Sequence, residues 1–339
     1  MRSGKAAPKS PLQGYRGKKV LVTGGLGFLG SNLAHRLAAL GADVRLLDCL
    51  LPLHGGNRHN LEGIEKRVEW IQADIRDRAV VEAAVKDRDI LFNIAAQTSH
   101  TDSMRNPRLD ADINIHGQLN LLEAARLRRP DLRLVYCSTR AVYGSPGRGK
   151  VLESGPTQPL DVYSADKLAG ENYHRIYSSV FGLNATILRV TNGYGPRAQM
   201  RQPSFGILNW FIRLAIDNAP IKIFGDGRQV RDYLYVDDIV DAFLMAGLRS
   251  DLRGETYNVA SGKGVPLIEI VRKILRIAGK GTILHVPWPE TNKRIDAGDF
   301  VADNRKIRRD AGWRATTALE DGLKSTIDFY EKNRRHYWG

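Results

Sequence analysis

The segment Gly24-Gly25-Leu26-Gly27-Phe28-Leu29-Gly30 limits what this chain can fold into more than any other part of it. It follows the β-rich run Lys19 to Thr23 and opens the stretch Phe28 to Leu40, where apolar residues recur at helical spacing. Between a strand and a helix, glycines at these positions have separate tasks. Gly24 permits the tight turn, Gly27 lets backbone approach a pyrophosphate, and Gly30 lets the helix pack on the strand. The helix then presents its free N–H groups to the anion. The turn therefore predicts dinucleotide contacts at Gly24, Gly27, Phe28, Leu29 and Gly30.

The strand-helix alternation continues, with strands predicted at Asp43 to Asp48, Val68 to Ala73, Asp89 to Ala95, Leu132 to Ser138 and Asn184 to Val190. Such alternation means a parallel sheet covered on both faces. Beyond Gly195 it becomes irregular: Pro203 to Asn218 reads as helix, Ile221 to Phe224 as strand, Val236 to Leu248 as helix. The expected fold is α/β, a Rossmann-type doubly wound parallel sheet with a smaller mixed α/β C-terminal region for substrate. Its parts are a flexible basic tail over 1–17, a dinucleotide-binding Rossmann domain over 18–190, and a mainly substrate-binding region over 191–339. Segments around 225–262 are expected to return to the Rossmann domain.

Composition excludes several classes. No apolar run approaches the roughly 20 residues that span a bilayer, and the tail lacks the apolar stretch of a signal peptide. Two cysteines, Cys49 and Cys137, make no disulfide framework, so a reducing cytoplasm is the expected compartment. The net charge of +14 raises the question of a polyanionic partner. Its arginines are scattered along helix faces without a reading motif, which argues against nucleic acid.

Three further features carry chemistry. Asp48 ends the second strand, where a carboxylate can accept hydrogen bonds from an adenosine ribose. That favours NAD over NADP; the rival reading is a strand-end turn residue. Tyr163 and Lys167 lie four apart on one helix face, so phenol and ammonium can meet the same ligand. The ammonium, with a positive nicotinamide, favours phenolate and makes Tyr163 a general base. Ser138 and Thr139 end the fifth strand, at the sheet edge where ligands bind, and either could instead cap a turn.

Taken in this order, these features resemble the extended short-chain dehydrogenase/reductases that process nucleotide sugars. The resemblance runs from Lys18 to about Tyr330 through Asn93 to Gln97, Asp74-Ile75, Asn114, Arg189 to Arg197, Ile223 to Gly227 and Arg231-Asp232-Tyr233, ending at Arg294. It implies NAD as cofactor, no metal, and additional NAD contacts at Asp74, Ile75, Ala95, Ala96, Gln97 and Asn114. It gives Thr139 the place of the catalytic Ser or Thr and Tyr163 that of the base, while Lys167 holds the nicotinamide ribose. Substrate contacts are implied at Ser138, Arg140, Asn192, Asn209, Phe224, Arg231 and Arg294, with both Arg231 and Arg294 on the diphosphate, a task suited to a planar charged fork. Phe224 as core, and the two arginines as surface ion pairs, are the competing readings. The family also implies a homodimer built on helices around His116 to Arg126 and Ala165 to Val180.

In that family the shared first step is oxidation of the sugar at carbon 4. The 4,6-dehydratases follow the Thr139 position with Asp and Glu, and decarboxylases making UDP-xylose carry Glu at the Ala141 position. Here Arg140 and Ala141 stand in those places, and neither does acid-base work at neutral pH. The expected function is therefore 4-epimerisation of a nucleotide-diphospho-sugar through a transient 4-keto intermediate, of the UDP-glucose/UDP-galactose or UDP-uronate type. The alternatives are a 2-epimerase, reductase, decarboxylase or 4,6-dehydratase on the same scaffold, or a non-catalytic NAD-binding protein. Gln199 stands where a uronate epimerase would carry arginine, Arg201 lies close by, and Arg140 either meets an acidic sugar or points into solvent.

Overall fold

A computed structural model describes residues 11–52 and 54–338. The first half contains β1 (Lys19–Thr23), α1 (Phe28–Ala39), β2 (Asp43–Asp48), β3 (Val68–Gln72), α2 (Arg78–Val85), β4 (Ile90–Asn93), α3 (His100–Arg105), α4 (Pro107–Ala111), α5 (Gly117–Arg128), β5 (Arg133–Thr139), β6 (Lys150–Val151), α6 (Val162–Val180) and β7 (Asn184–Val190). The second contains β8 (Asn192–Tyr194), α7 (Ile207–Ile216), β9 (Pro220–Phe224), β10 (Val230–Tyr235), α8 (Val236–Gly247), β11 (Thr256–Val259), β12 (Gly264–Pro266), α9 (Leu267–Ala278), β13 (Thr282–Val286), α10 (Glu290–Arg294), β14 (Val301–Ala302), α11 (Arg305–Asp310) and α12 (Leu319–Tyr337).

Seven parallel strands form the large sheet, in the order β3-β2-β1-β4-β5-β7-β11. The doubly wound Rossmann-type expectation is met. Period-two alternation in β1 explains the layers: Val20 and Val22 join the apolar cluster of α1 and α8, through Leu33 and Phe243. Leu21 points to the other face and packs with Val81 of α2 and Leu121 of α5. All three are fully buried, and truncating Leu21 to alanine should cost about 2–5 kcal/mol. The chain order reverses between β1 and β4, and a crevice for ligand opens beyond the carboxyl ends of such neighbours.

The second half supplies three small sheets, β12-β10-β8, β13-β9 and β14-β6. It also sends β11 to the edge of the large sheet beside β7. Among the described residues no helix is long and apolar enough to cross a membrane.

Three boundaries differ from the sequence expectation. The tail assigned to 1–17 does not extend that far: Pro11–Tyr15 forms a 3-10 helix, and Tyr15 is fully buried with its hydroxyl donating to the Leu244 carbonyl at 2.7 Å. Residues 1–10 lie outside the described residues. Strand β4 stops at Asn93 because the next N–H groups, of Ile94 and Ala95, donate to the Thr23 hydroxyl instead of to a ladder. Helix α7 starts at Ile207 rather than Pro203, since Gly206 turns the chain with φ of 81°.

Candidate functional site

A cavity of about 330 Å³ opens at the carboxyl edge of the large sheet, over the β1/β4 reversal. On one side it is floored by the glycine turn. A Cβ on Gly30 would collide with the Gly24 carbonyl oxygen, so the helix can sit this close to the strand only without a side chain there. Gly24 takes φ of +67°, and a Cβ on it would press on the Ala95 backbone at 3.0 Å. Gly24, Gly27, Phe28, Leu29, Asp48, Asp74, Ile75, Ala95 and Ala96 line this side.

Asp48 accepts from the N–H of Leu26 at 2.9 Å through one oxygen and from that of Leu50 at 2.8 Å through the other. A carboxylate has about four acceptor sites, so two remain for ligand hydroxyls. Burial pushes its pKa up, against the pull of those two backbone bonds. Burial also acts on Asp74, but hydrogen bonds from Arg76 outweigh it and hold that carboxyl below the usual range.

The other wall is built by β5 and α6. Asp161 caps α6, accepting from the Ser164 N–H at 2.8 Å, and so fixes the turn on which Tyr163 and Lys167 sit. Thr139, Tyr163 and Lys167 all face the cavity. Burial, with a smaller contribution from Cys137, pushes the Tyr163 phenol above its ordinary value, and a hydrogen bond with Thr139 opposes that rise. Lys167 is buried and its pKa is pushed down to about 8 by desolvation. Its ammonium lies 4.2 Å from the centre of the Tyr136 ring. Phenol, hydroxyl and ammonium thus converge at one end of a cleft whose other end can take a pyrophosphate and a ribose.

A sequence model described as the NAD dependent epimerase/dehydratase family matches residues 20–260. This chain belongs to the NAD-dependent epimerase/dehydratase family. It is 34% identical to a UDP-glucose 4-epimerase of Mycolicibacterium smegmatis, covering 92% of this chain and 98% of that one. A dTDP-glucose 4,6-dehydratase of Xanthomonas campestris is 31% identical, with 93% of each chain covered. The solved UDP-glucose 4-epimerase of Thermotoga maritima superposes with a TM-score of 0.84 at 30% identity, over 93% of this chain and 99% of that one. The cofactor of the family is NAD, and the glycine cradle and Asp48 fit it.

For this epimerase/dehydratase chain, several expected contacts fall off the cavity wall. Gln97 and Asn114 do not line it. Gln97 donates to Asp110 at 2.6 Å, and Asn114 donates to Asp110 at 2.9 Å and to the Gln97 carbonyl at 3.0 Å, a buried brace behind the cleft. The reason is Asp110, a buried carboxylate on α4 that draws both amides inward. Ser138 lines the cavity, but its hydroxyl donates to buried Glu171 at 2.5 Å. Asn209 lines it too, with its carbonyl oxygen accepting from the Gly195 N–H at 3.2 Å.

The remaining expected substrate residues lie outside that wall. Arg140 donates through Nε to Asn192 at 3.3 Å, and Asn192 donates to the Asp232 carbonyl at 2.9 Å. Phe224 ends β9 with its ring 5.4 Å from Trp288. Arg231, expected on a diphosphate, is engaged by Asp296 at 2.5 Å and by the Gly298 carbonyl. Arg294 is exposed at the end of α10.

Sequence reasoning passed over other members of the site. Thr23 positions the Ile94 and Ala95 backbone, and Cys137, Thr98 and Phe205 line the cavity. Gly55-Gly56, a recognisable turn signal, brings a loop to its rim. His100 bonds Asp161 at 2.7 Å and meets Tyr163 edge-on at 5.1 Å. No local pattern announces that contact, since it depends on α3 packing against α6.

Proposed function

We propose that the protein catalyses NAD-dependent epimerisation at carbon 4 of a nucleotide-diphospho-sugar. The observation that carries this reading is where the carboxylates lie. Among the described residues that line the cavity, the acids are Asp48 and Asp74. Three inter-strand steps separate the end of β2 from that of β5, roughly 14 Å at the usual spacing, and Asp74 lies one strand farther. Beside Thr139 stand Arg140 and Ala141, so elimination of water or loss of a carboxyl group finds no acid-base pair there. Removal and return of one hydrogen needs less.

Tyr163 takes the proton of the sugar hydroxyl, and Thr139, hydrogen-bonded to it, holds that hydroxyl in line. Lys167 stabilises the phenolate as it forms and holds the nicotinamide ribose. NAD, held over the Gly24 turn with its nicotinamide ribose at Lys167, would supply the hydride acceptor and donor for carbon 4, and a cleft in which the sugar can turn would let the hydrogen return to the opposite face. Residues on the Asp48 side bind the adenosine half, and the family's nucleotide-sugar substrates enter beside Asn209. A homodimer through α5 and α6 is part of the proposal; exposed Leu127, Ile176, Val180 and Phe181 support it.

The test is incubation of the NAD-loaded protein with UDP-, dTDP-, GDP- and CDP-sugars, with products read by NMR. A 4-epimer is expected, together with a transient NADH absorbance that Tyr163→Phe abolishes, at a rate cost of about 10²–10⁴. A 4-keto-6-deoxy sugar, a pentose or a 2-epimer as product would overturn the assignment. Absence of any NADH signal with every sugar would favour a non-catalytic NAD-binding protein.

A further inference from the structure

Arg140 immediately follows Thr139, on the short turn that ends β5 beside the catalytic wall. The residue is half-buried, with its guanidinium carbon over the Phe300 ring, 5.4 Å from the ring centre. Among the described residues its only hydrogen bond goes to the neutral side chain of Asn192, and no carboxylate lies within ion-pair distance of it. Asp296, an acid whose charge reaches Arg140, is already bridged to Arg231. Loss of hydration, and then the charge of Arg231, push the Arg140 pKa down to about 10, against a smaller opposing pull from Asp296. A permanently charged fork removed from water and facing a second guanidinium is unfavourable unless an anion completes it.

A second group nearby is also incomplete. Tyr233 lies directly opposite Asn192 in the β10-β8 pairing. Its hydroxyl is buried and has no hydrogen-bond partner among the described residues. It feels the charges of both Arg140 and Arg231. Tyr163 in turn acts on Arg140 from the cavity side. The unpaired guanidinium therefore lies within electrostatic range of the group that takes the sugar proton, with the unpartnered Tyr233 hydroxyl beside it.

We propose that Arg140, with Tyr233, is the recognition site for a carboxylate on the sugar, so that the substrate is a nucleotide-linked uronate rather than a neutral hexose. This rests on the 4-epimerase reading for the position of the sugar. A carboxylate satisfies a guanidinium fork through two parallel hydrogen bonds, and a phenol can donate to the same group. Gln199, which lines the cavity, is tied to its own loop and carries no charge to match a carboxylate. Its amide donates to the Gln202 carbonyl at 2.7 Å and accepts from the Arg201 N–H at 2.9 Å. The nucleotide diphosphate is the other anion that could meet Arg140, and it is common to acidic and neutral substrates. That difference separates the two.

The experiment compares UDP-glucuronate with UDP-glucose on the NAD-loaded protein, measuring kcat/KM for each and identifying each product by NMR. The wild type is expected to favour the uronate at least about tenfold, and Arg140→Ala to lower that ratio by about 10- to 100-fold, the scale of one charge-assisted hydrogen-bonded pair. Tyr233→Phe should lower it in the same direction by a smaller factor, and it serves where Arg140→Ala does not fold. A wild-type preference for the neutral sugar, turnover of neither, or an equal loss on both substrates in the variants, as a diphosphate contact would give, overturns the proposal. Product identity keeps the two readings apart. Release of a pentose from the uronate would sink 4-epimerisation while leaving Arg140 its carboxylate, and a clean 4-epimer from UDP-glucose alone would do the reverse.

Discussion

Lys167 combines two demands that conflict within one side chain. It must reach the cavity that Tyr163 also lines, and to do so it lies buried on α6 beside Tyr136. In the unfolded chain it holds its proton to about 10.5, and in the folded protein only to about 8. Between those values the unfolded state binds more protons, so stability rises with pH across that window and the burden is greatest below pH 8. Lys167→Met should therefore unfold at a higher temperature than wild type at pH 7 in the absence of NAD, by up to about 3 kcal/mol. The margin should shrink as pH rises from 8 to 10.5, followed by thermal unfolding at several pH values. A margin that does not change with pH would mean that the buried ammonium is not its source. Tyr163 is pushed the opposite way by the same burial, so both groups are held toward their neutral forms until a ligand supplies charge.

At the scale of elements, α4 and α6 meet through two carboxyl groups. Burial and a hydrogen bond shared with Asp110 push Asp166 up to about 7, so this contact works best with one proton in the pair. A carboxyl whose folded pKa is raised gives up stability as pH climbs from about 4 to 7. Asp166→Asn donates the same bond without titrating. It should match wild type at pH 4 and exceed it by about 1 kcal/mol at pH 8, measured by denaturant titration. A variant less stable at both values would contradict a protonated pair. This contact also marks where sequence reading stops. The strands and helices around the glycine turn are legible because periods of 2 and 3.6 residues are written locally, and the motif of Thr139, Tyr163 and Lys167 lies on two adjoining elements. The inward turn of Gln97 and Asn114 depends on Asp110, the end of β4 on a hydroxyl in β1, and burial of Tyr15 on a carbonyl 229 residues away. None of these partners is encoded near the residue it redirects.

For the whole molecule, one group of exposed apolar side chains lies on and just beyond α5 and α6, helices that touch each other on the side of the sheet away from α1 and α8. Val180 is 68% exposed, and Leu127, Ile176 and Phe181 are each about half exposed, an apolar strip that water solvates poorly. Arg126 lies over the Phe181 ring, 5.1 Å from its centre. A second copy related by a two-fold axis would bury the strip against itself, with a standard interface removing about 1,600 Å² in total. Sedimentation equilibrium should therefore find a species of twice 37.8 kDa. The double variant Val180→Glu, Phe181→Ser should sediment as a monomer that still binds NAD, because neither residue lines the cavity at the carboxyl edge of the sheet. Charge sets the direction of a further effect. Each protomer carries +14, so the two copies repel, and salt that shortens the screening length to about 8–10 Å should tighten the dimer rather than loosen it. Weakening by salt would instead mean that ion pairs, not the apolar strip, hold the copies together, and the assignment of α5 and α6 as the interface would fail.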